Sequence, residues 1–189
     1  MIKIGLTGSI ASGKTTASRI ISRKRGPLFS ADFIVKKIYQ NKKFKKKVSK
    51  KFNIKFNSNF KKELKKKVLQ KKTNLKRLEK IIHPMVRKEM HLFSKKNKYK
   101  KFLFFEIPLL IENKLSRYFD VIIFIKSSYR LRLSRYLLKK AGNAKLFSIL
   151  NNHQFKDNLK LKFCDHVVVN NNSLSILKKK LLTIIKSYE

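Results

Sequence analysis

The sequence predicts an α/β fold in which a parallel five-stranded sheet is covered by helices on both faces. Short apolar runs alternate along the chain with longer segments of helical periodicity. The strongest runs are continuously apolar, which is typical of strands buried on both faces of a parallel sheet. The 189 residues and the hydrophobic content of 42% suit one packed domain with a sizeable core.

The N-terminal segment predicts a strand, a loop, a helix and a second strand. "MIKIGL" (Met1 to Leu6) is an apolar run that ends in a glycine-rich loop, so it predicts a buried strand. A helix is expected from Lys14 to Lys24, since Ala17, Ile20 and Ile21 share one face. "GPLFSAD" (Gly26 to Asp32) predicts a turn and a short strand.

The middle of the chain has a helical, lysine-rich pattern from about residue 33 to residue 100. Breaks are expected at 53–59 and at Thr73 and Asn74. We expect Pro84 in the first turn of the helix that follows, where its missing N–H costs nothing.

The second half of the chain predicts three further strands and three further helices. The strands are Phe102–Leu110, Asp120–Ile125 and His166–Val169. The helices are Tyr129–Lys140, Leu146–Lys160 and Leu174–Tyr188, with Ser173 as the N-cap of the last. No repeat or linker divides the chain.

The net charge is extreme, with 49 Lys and Arg against 10 Asp and Glu, or +39. One interpretation is affinity for nucleic acid, acidic lipid or anionic metabolites. The other is compositional drift toward the residues that AT-rich coding sequences favour. Lysine occupies every polar position in stretches such as 41–52 and 60–72, whereas a nucleic-acid-binding face concentrates charge on one element. This distribution favours drift.

The single cysteine, Cys164, excludes an internal disulfide and any multi-cysteine metal site. No apolar run approaches the length of about 20 residues that spans a bilayer, and the N-terminus lacks the order of a signal peptide. We therefore expect a cytoplasmic protein with no membrane partner.

The glycine-rich loop "GSIASGKT" fits G-x-x-x-x-G-K-[ST]. In such loops backbone N–H groups surround the phosphates of a nucleotide, the lysine reaches the β and γ oxygens, and the Thr hydroxyl binds Mg²⁺. A glycine turn without a ligand is disfavoured, because the loop follows a predicted strand and opens a predicted helix. The predicted phosphate-binding residues are Gly8, Ala11, Ser12, Gly13, Lys14, Thr15 and Thr16.

Asp32 follows the second predicted strand. In an open parallel sheet, ligands lie beyond the carboxyl ends of the strands, so Asp32 would face the same crevice as the loop. A carboxylate there could accept the proton of an attacking hydroxyl. Asp is equally a good N-cap for the next helix, and position alone leaves both interpretations open.

Five segments together carry a resemblance to a known family. They are "GLTGSIASGKTT", "FSAD", "LEKIIHPMVR", "EIPLLIE" and "CDHVVVNNNS". With these residues the chain resembles the dephospho-coenzyme A kinases along essentially its whole length. Many nucleotide enzymes share the loop, but "IIHPMVR" and "IPLLIE" in this order are more specific.

The resemblance implies a P-loop kinase that transfers the γ-phosphate of ATP to the ribose 3′-hydroxyl of dephospho-CoA, with ATP as co-substrate and Mg²⁺ as cofactor. It also implies a single domain over residues 1–189. Its core would be 1–32, 102–128 and 163–189, its acceptor-binding helical region about 33–100, and its lid about 129–160.

The resemblance assigns acceptor residues to the helical region. Asp32 matches the second acid of an Asp-Ala-Asp motif and would be the general base, whereas Ser30 stands where the family has the first acid. His83 and Arg87 match a His-Pro-x-x-Arg segment and would bind the acceptor. For His83 a helix cap beside Pro84 is the alternative.

The "EIPLLIE" segment supplies a metal residue and acceptor residues by the same resemblance. Glu106 stands where the family usually has Asp, and it would hold Mg²⁺ together with Thr15. Pro108 and Leu109, with Leu110, would line a turn beside the acceptor. Ordinary core packing is the alternative for these three residues.

The segment "RLSRYLLKKAGN" is similar to the family's lid. Arg135 matches the first of two paired arginines and, with Lys14 and Asp32, is a predicted catalytic residue; Lys139 stands at the second. A solvated basic helix face is the alternative for this segment. Asn170 matches a segment near the adenine, and Gln154 anchors that alignment.

Three other functions remain open at this point. Another nucleotide or nucleoside kinase would share the loop and lid, but the His-Pro and Pro-Leu-Leu-x-Glu segments favour the acceptor above. A basic nucleic-acid-binding P-loop protein or a nucleotide switch would need a basic stripe with interleaved aromatics, which the sequence lacks. We expect no specific nucleic acid partner, only salt-sensitive, non-specific polyanion binding due to charge. The third possibility is a relative of this family that has lost its activity, because Ser30, Glu106 and Lys139 differ from the family's residues at these positions.

Overall fold

The computed structural model describes residues 1–138 and 143–189, except for the side chain of Lys72. These residues form two compact units. The first comprises Met1–Ser30 and Asn97–Glu189, and the second is the helical unit Ala31–Lys96. The single-domain organisation stays a prediction.

The first unit contains a five-stranded sheet with the strand order β2-β3-β1-β4-β5, and every pairing is parallel. Its strands are β1 (Ile2–Gly8), β2 (Leu28–Ser30), β3 (Phe102–Glu106), β4 (Val121–Lys126) and β5 (His166–Val169). The predicted α/β fold with a parallel sheet is confirmed. The apolar runs identified the strands because both faces of this sheet are buried. The expected strand Phe102–Leu110 is too long, since β3 ends at Glu106.

In the described part of the chain, α-helices follow β1, β2, β4 and β5. They are α1 (Lys14–Ser22), α2 (Ala31–Gln40), α3 (Lys42–Phe52), α4 (Phe60–Gln70), α5 (Lys72–Lys96), α6 (Tyr129–Leu137), α7 (Ala144–Asn152), α8 (Asp157–Leu161) and α9 (Leu174–Lys186). A 3-10 helix spans Ser116–Tyr118. No helix in this part of the chain has both the length and the apolarity that crossing a bilayer requires.

One face of the sheet packs against α1 and α9. Ile4, Leu6 and Ile123 of the strands contact the buried side chains of the two helices in one continuous cluster. The helix side chains in that cluster are Ala17, Ile21, Leu177, Leu181 and Ile185. This packing fixes α1 directly behind β1. The short loop between them therefore lies at the carboxyl edge of the sheet, next to the ends of β3 and β4.

The helical unit corrects the prediction for Pro84. Pro84 lies inside α5, not in the first turn of a helix. A proline inside a helix removes one backbone hydrogen bond. Leu78, Ile82 and Val86 form a buried face on both sides of it, and α5 packs against α2 and α4, so tertiary packing outweighs that loss. The expected break at Thr73 and Asn74 is also wrong, since α5 begins before both.

The predicted helix Leu146–Lys160 is two helices in the structure. α7 ends at Asn152 and α8 begins at Asp157. Between them, the N–H of Phe155 donates to Oε1 of Glu112 at 3.1 Å, a partner from another part of the chain. A tertiary hydrogen bond thus replaces a helical one. The N-cap prediction is confirmed, because Ser173 accepts a hydrogen bond from the N–H of Ile176.

Candidate active site

The loop between β1 and α1 depends on two glycines. Gly8 has φ 153° and Gly13 has φ 96°, both in the region that L side chains rarely adopt. A Cβ on Gly8 would lie 2.4 Å from the carbonyl oxygen of Ile125. A Cβ on Gly13 would lie 2.2 Å from Nδ2 of Asn170. Both positions of the sequence pattern therefore require glycine.

Lys14 is the first residue of α1, and only 8% of it is exposed. Its Nζ donates to the carbonyl oxygen of Ser9 at 2.9 Å, so the ammonium group bends back over the loop. The first turn of α1 contains no acidic residue, and Gly13 supplies no side-chain cap. The first N–H groups of a helix favour an anion, and this helix N-terminus can serve the phosphates of a nucleotide.

Thr15 and Glu106, the two predicted metal residues, are in direct contact. Oγ1 of Thr15 donates a hydrogen bond to Oε1 of Glu106, and Oγ of Ser18 lies 3.4 Å from Oε2. Glu106 ends β3, opposite Leu6 of β1, and is 3% exposed. Mg²⁺ prefers oxygen ligands and uses one or two carboxylates together with substrate phosphates. The hydroxyl and the carboxylate fit that requirement, although the described residues contain no cluster of three or more His, Cys, Asp or Glu.

Asn170 also lies at the loop, and Arg135 contacts Asn170. The guanidinium of Arg135 donates from one nitrogen to Oγ of Ser127 and to the carbonyl oxygen of Asn170, each at 3.1 Å. The side-chain amide of Asn170 is 7% exposed and donates to the carbonyl oxygen of Ser12 at 2.8 Å. The structure thus places Asn170 against the loop and Arg135 against Asn170. Lys139 lies outside the described residues.

The three predicted acceptor residues in the turn after β3 differ in how far they are buried. Leu110 is fully buried, and its side chain is part of the core. Pro108 and Leu109 are half-buried. The carbonyl oxygen of Pro108 accepts from Oγ1 of Thr7 at 3.3 Å, which holds this turn next to the end of β1.

Asp32, His83 and Arg87 belong to the helical unit. Asp32 is exposed and is the second residue of α2, so the N-cap alternative is not supported. His83 lies inside α5, so the helix-cap alternative for it is wrong. His83 and Arg87 are four residues apart and share one face of that helix. Burial lowers the pKa of His83; Glu79 opposes this shift and Arg87 adds to it.

Sequence reasoning assigned no site role to Arg132, Asp157 or Gln154, all of which contact the loop. Oγ of Ser9 donates to Oδ1 of Asp157 at 2.5 Å, and the N–H of Ile10 donates to Oε1 of Gln154 at 2.7 Å. No local pattern could have shown these contacts, because they join residues more than 100 positions apart in the sequence.

Arg132 is 7% exposed in α6 and binds two neighbouring segments. Its Nε donates to the carbonyl oxygen of Ser127 at 3.2 Å, and a terminal nitrogen donates to Oδ1 of Asn151 at 2.7 Å. Burial lowers the pKa of Arg132, while Asp157 and Tyr129 act in the opposite direction. The predicted lid segment therefore begins with a buried arginine.

A buried ion pair lies close to these contacts. Nζ of Lys160, whose side chain is 0% exposed, is 2.8 Å from Oε1 of Glu112. Glu112 belongs to the "EIPLLIE" segment, and the same oxygen accepts the N–H of Phe155. The pair therefore ties the turn after β3 to α8.

Comparisons of the sequence and of the fold with known proteins relate this chain to dephospho-CoA kinases. The family model for dephospho-CoA kinase matches residues 2–175. A dephospho-CoA kinase of Fusobacterium nucleatum is 34% identical over 94% of this chain and 94% of its own length. The enzyme of Zymomonas mobilis is 32% identical over 97% of this chain and 95% of its own. A solved dephospho-CoA kinase from Campylobacter jejuni has a TM-score of 0.68 and 26% identity, covering 98% of this chain and 96% of its own.

The matches run through both units and include the phosphate loop, the "HPMVR" helix and the "EIPLLIE" turn. On this evidence the chain belongs to the dephospho-CoA kinase family.

Proposed function

We propose that this protein transfers the γ-phosphate of ATP to the ribose 3′-hydroxyl of dephospho-CoA, giving CoA and ADP. The observation that carries this proposal is the arrangement of Lys14, Thr15 and Glu106 in a chain of this family. The loop lysine bends over the loop, and the hydroxyl of Thr15 is bonded to the acid that ends β3. This is the arrangement that phosphoryl transfer from a nucleotide requires.

In the proposed complex the loop binds the triphosphate of ATP. Backbone N–H groups between Gly8 and Thr16 and the N-terminus of α1 would surround its oxygens. Lys14 would turn from the carbonyl of Ser9 to the β and γ oxygens. Arg135 would add positive charge as charge develops on the transferred group, and Asn170 would lie near the adenine.

Thr15 and Glu106 would hold Mg²⁺, Glu106 through water. A Mg²⁺ ion held there would supply positive charge that offsets the charge of the nucleotide's phosphates. Within the protein, the role of Glu106 is to fix the hydroxyl of Thr15, and it does so through their hydrogen bond.

Asp32 would act as the general base toward the acceptor hydroxyl. Other residues of the helical unit and of the turn after β3 would bind dephospho-CoA. The 3′-oxygen attacks the γ-phosphorus, the bond from that phosphorus to the bridging β–γ oxygen breaks, and ADP leaves. The hydroxyl proton passes to the carboxylate of Asp32. His83, whose pKa is lowered by burial, would act as a neutral hydrogen-bond donor, and Arg87 would pair with phosphate oxygens. Pro108 and Leu109 would line the acceptor.

The test is ATP-dependent conversion of dephospho-CoA to CoA by the purified protein, with AMP and adenosine as competing acceptors. We expect CoA as the preferred product. Preference for AMP or adenosine would assign the chain to another nucleotide kinase activity, and no turnover of any acceptor would identify a decayed relative.

Asp32→Asn tests the base. We expect kcat to fall by roughly 10²–10⁴-fold with the Kd for ATP unchanged. Glu89→Gln is the matched control, since Glu89 is another exposed carboxylate of the same unit. An equal loss of kcat and ATP affinity in Asp32→Asn would make Asp32 a structural residue and contradict its role as the base.

A further inference from the structure

Ala11, inside the phosphate loop, has a left-handed backbone. Its φ is 59°, a value that an L residue with a Cβ adopts at a cost and that glycine adopts freely. Ala11 lies between Gly8 and Gly13, both of which also have positive φ. Residues in such conformations persist only where the surrounding structure imposes them. The contacts that impose this one should therefore lie on the residues on either side of Ala11.

The two residues that flank Ala11, Ile10 and Ser12, are held by side chains from outside the loop. Before Ala11, the N–H of Ile10 donates to Oε1 of Gln154 at 2.7 Å. After Ala11, the carbonyl oxygen of Ser12 accepts from the amide of Asn170 at 2.8 Å. Within the loop, the N–H of Ser12 donates to the carbonyl oxygen of Ser9 at 3.2 Å. Ala11 is thus held between two anchored residues, Ile10 and Ser12.

Gln154 is itself anchored on both sides. Its own N–H donates to the carbonyl oxygen of Asn151 at 3.2 Å, and the next N–H, of Phe155, donates to Oε1 of Glu112 at 3.1 Å. Three residues further on, Asp157 accepts from Oγ of Ser9. The turn between α7 and α8 therefore presents the amide of Gln154 to the loop from a fixed position.

We propose that Gln154 is a positioning residue for ATP. Its side-chain amide oxygen accepts the N–H of Ile10, which helps to keep Ala11 in the left-handed conformation and so maintains the loop in the shape that binds phosphate. This inference rests on the proposed function only in that the loop binds ATP.

The primary variant is Gln154→Met, which keeps the length of the side chain and removes the acceptor oxygen. ATP affinity is measured by calorimetry with Mg²⁺ and without any acceptor substrate. We expect the Kd for ATP to rise about three- to tenfold, the size of one lost hydrogen bond. Asn152→Ala is the matched control, because Asn152 is an exposed amide two residues away, and it should leave the Kd unchanged.

The decisive variant is Ala11→Gly. In the protein with Gln154 it should change the Kd for ATP little, because the conformation is already imposed. Combined with Gln154→Met it should restore most of the lost affinity, since glycine adopts positive φ without help. If Gln154 only stabilised the fold, Ala11→Gly would not restore the ATP affinity that Gln154→Met loses.

Two results would overturn the proposal: Gln154→Met with the same ATP affinity as Asn152→Ala, or a loss that Ala11→Gly does not reduce. If Gln154→Met does not fold, Gln154→Ala takes its place, with circular dichroism as the check. Because no acceptor is present, the outcome is independent of the acceptor assignment. A protein that forms no CoA but shows this pattern of ATP affinities would contradict the proposed function alone.

Discussion

Thr15 donates a hydrogen bond from Oγ1 to Oε1 of Glu106, which joins the first turn of α1 to the end of β3. The two residues lie 91 positions apart in the sequence. Their contact follows from the parallel pairing of β1 with β3, which brings Glu106 opposite Leu6 at the carboxyl edge of the sheet. Hydroxyl and carboxylate oxygens thus meet where the phosphates of a nucleotide would bind.

Glu106→Gln should weaken the use of Mg²⁺, because the amide keeps the size of the side chain and removes its charge. We expect kcat to fall by about 10–100-fold and the Mg²⁺ concentration at half-maximal rate to rise. The measurement is a Mg²⁺ titration of CoA formation. Ser18→Ala, which removes only the 3.4 Å contact to the other carboxylate oxygen, is the control and should change little. An unchanged Mg²⁺ dependence in Glu106→Gln would contradict the proposed role of Glu106 in holding Mg²⁺.

Glu112→Gln should destabilise the protein strongly. The substitution leaves the ammonium group of Lys160, which is 0% exposed, without its counter-charge. Breaking a buried pair in this way costs about 3–5 kcal/mol in the free energy of unfolding. Urea denaturation measures the loss, and adding Lys160→Met to Glu112→Gln should recover much of it.

The pair between Arg25 and Glu189 is the control for this prediction. Its nitrogen–oxygen distance is also 2.8 Å, but its side chains are 29% and 41% exposed. Water screens such a pair, so Glu189→Gln should cost only about 0–1 kcal/mol. Equal losses in Glu112→Gln and Glu189→Gln would show that burial does not control the energy of the first pair.

His83 should make the folded state less stable in mild acid. Because its pKa in the folded protein is lowered by burial, the unfolded chain takes up the proton first as the pH falls below about 6.5. Stability is therefore lost as the pH falls from there toward the lowered pKa. His83→Gln should reduce the slope of unfolding free energy against pH between 7 and 5. His91→Gln, at an exposed position of the same helix, is the control, and an equal slope in both variants would contradict the prediction.

Cys164 should be inert in the folded protein. Burial raises the pKa of its thiol from 9.0 to about 12; Asp165 and Glu112 add to the rise and Lys160 opposes it. The thiolate is the reactive form, so alkylation by iodoacetamide at pH 8 should be about a thousand-fold slower in the folded protein than in urea. Mass spectrometry of the labelled chain measures both rates, and similar rates would show that the thiol is accessible and ionised.

Local sequence patterns predicted the elements that follow from strand burial, from backbone conformation or from a helix cap. The apolar runs predicted the five strands because a parallel sheet buries both of its faces. The glycine spacing predicted the loop because Gly8 and Gly13 have backbone conformations that other residues rarely adopt. Ser173 predicted a helix start because its hydroxyl caps a backbone N–H within three residues.

Predictions failed where a distant partner decided the local structure. Pro84 was expected to begin a helix, but the buried face of α5 continues through it. The helix expected up to Lys160 is interrupted because Glu112 binds the N–H of Phe155. Lys160, the last residue of that predicted helix, lies in α8 and is buried against Glu112. Propensity describes each of these residues alone and carries no information on such partners.

By itself the sequence determined a parallel α/β fold, a phosphate loop and, through five motifs, membership of a kinase family. Only the tertiary structure decided what holds that loop in shape. Gln154, Asp157 and Asn170 reach it from positions 144 to 158 residues away. The physical reason is that backbone conformation follows from neighbouring residues, whereas hydrogen bonds to a loop depend on which distant segments the packed sheet brings beside it.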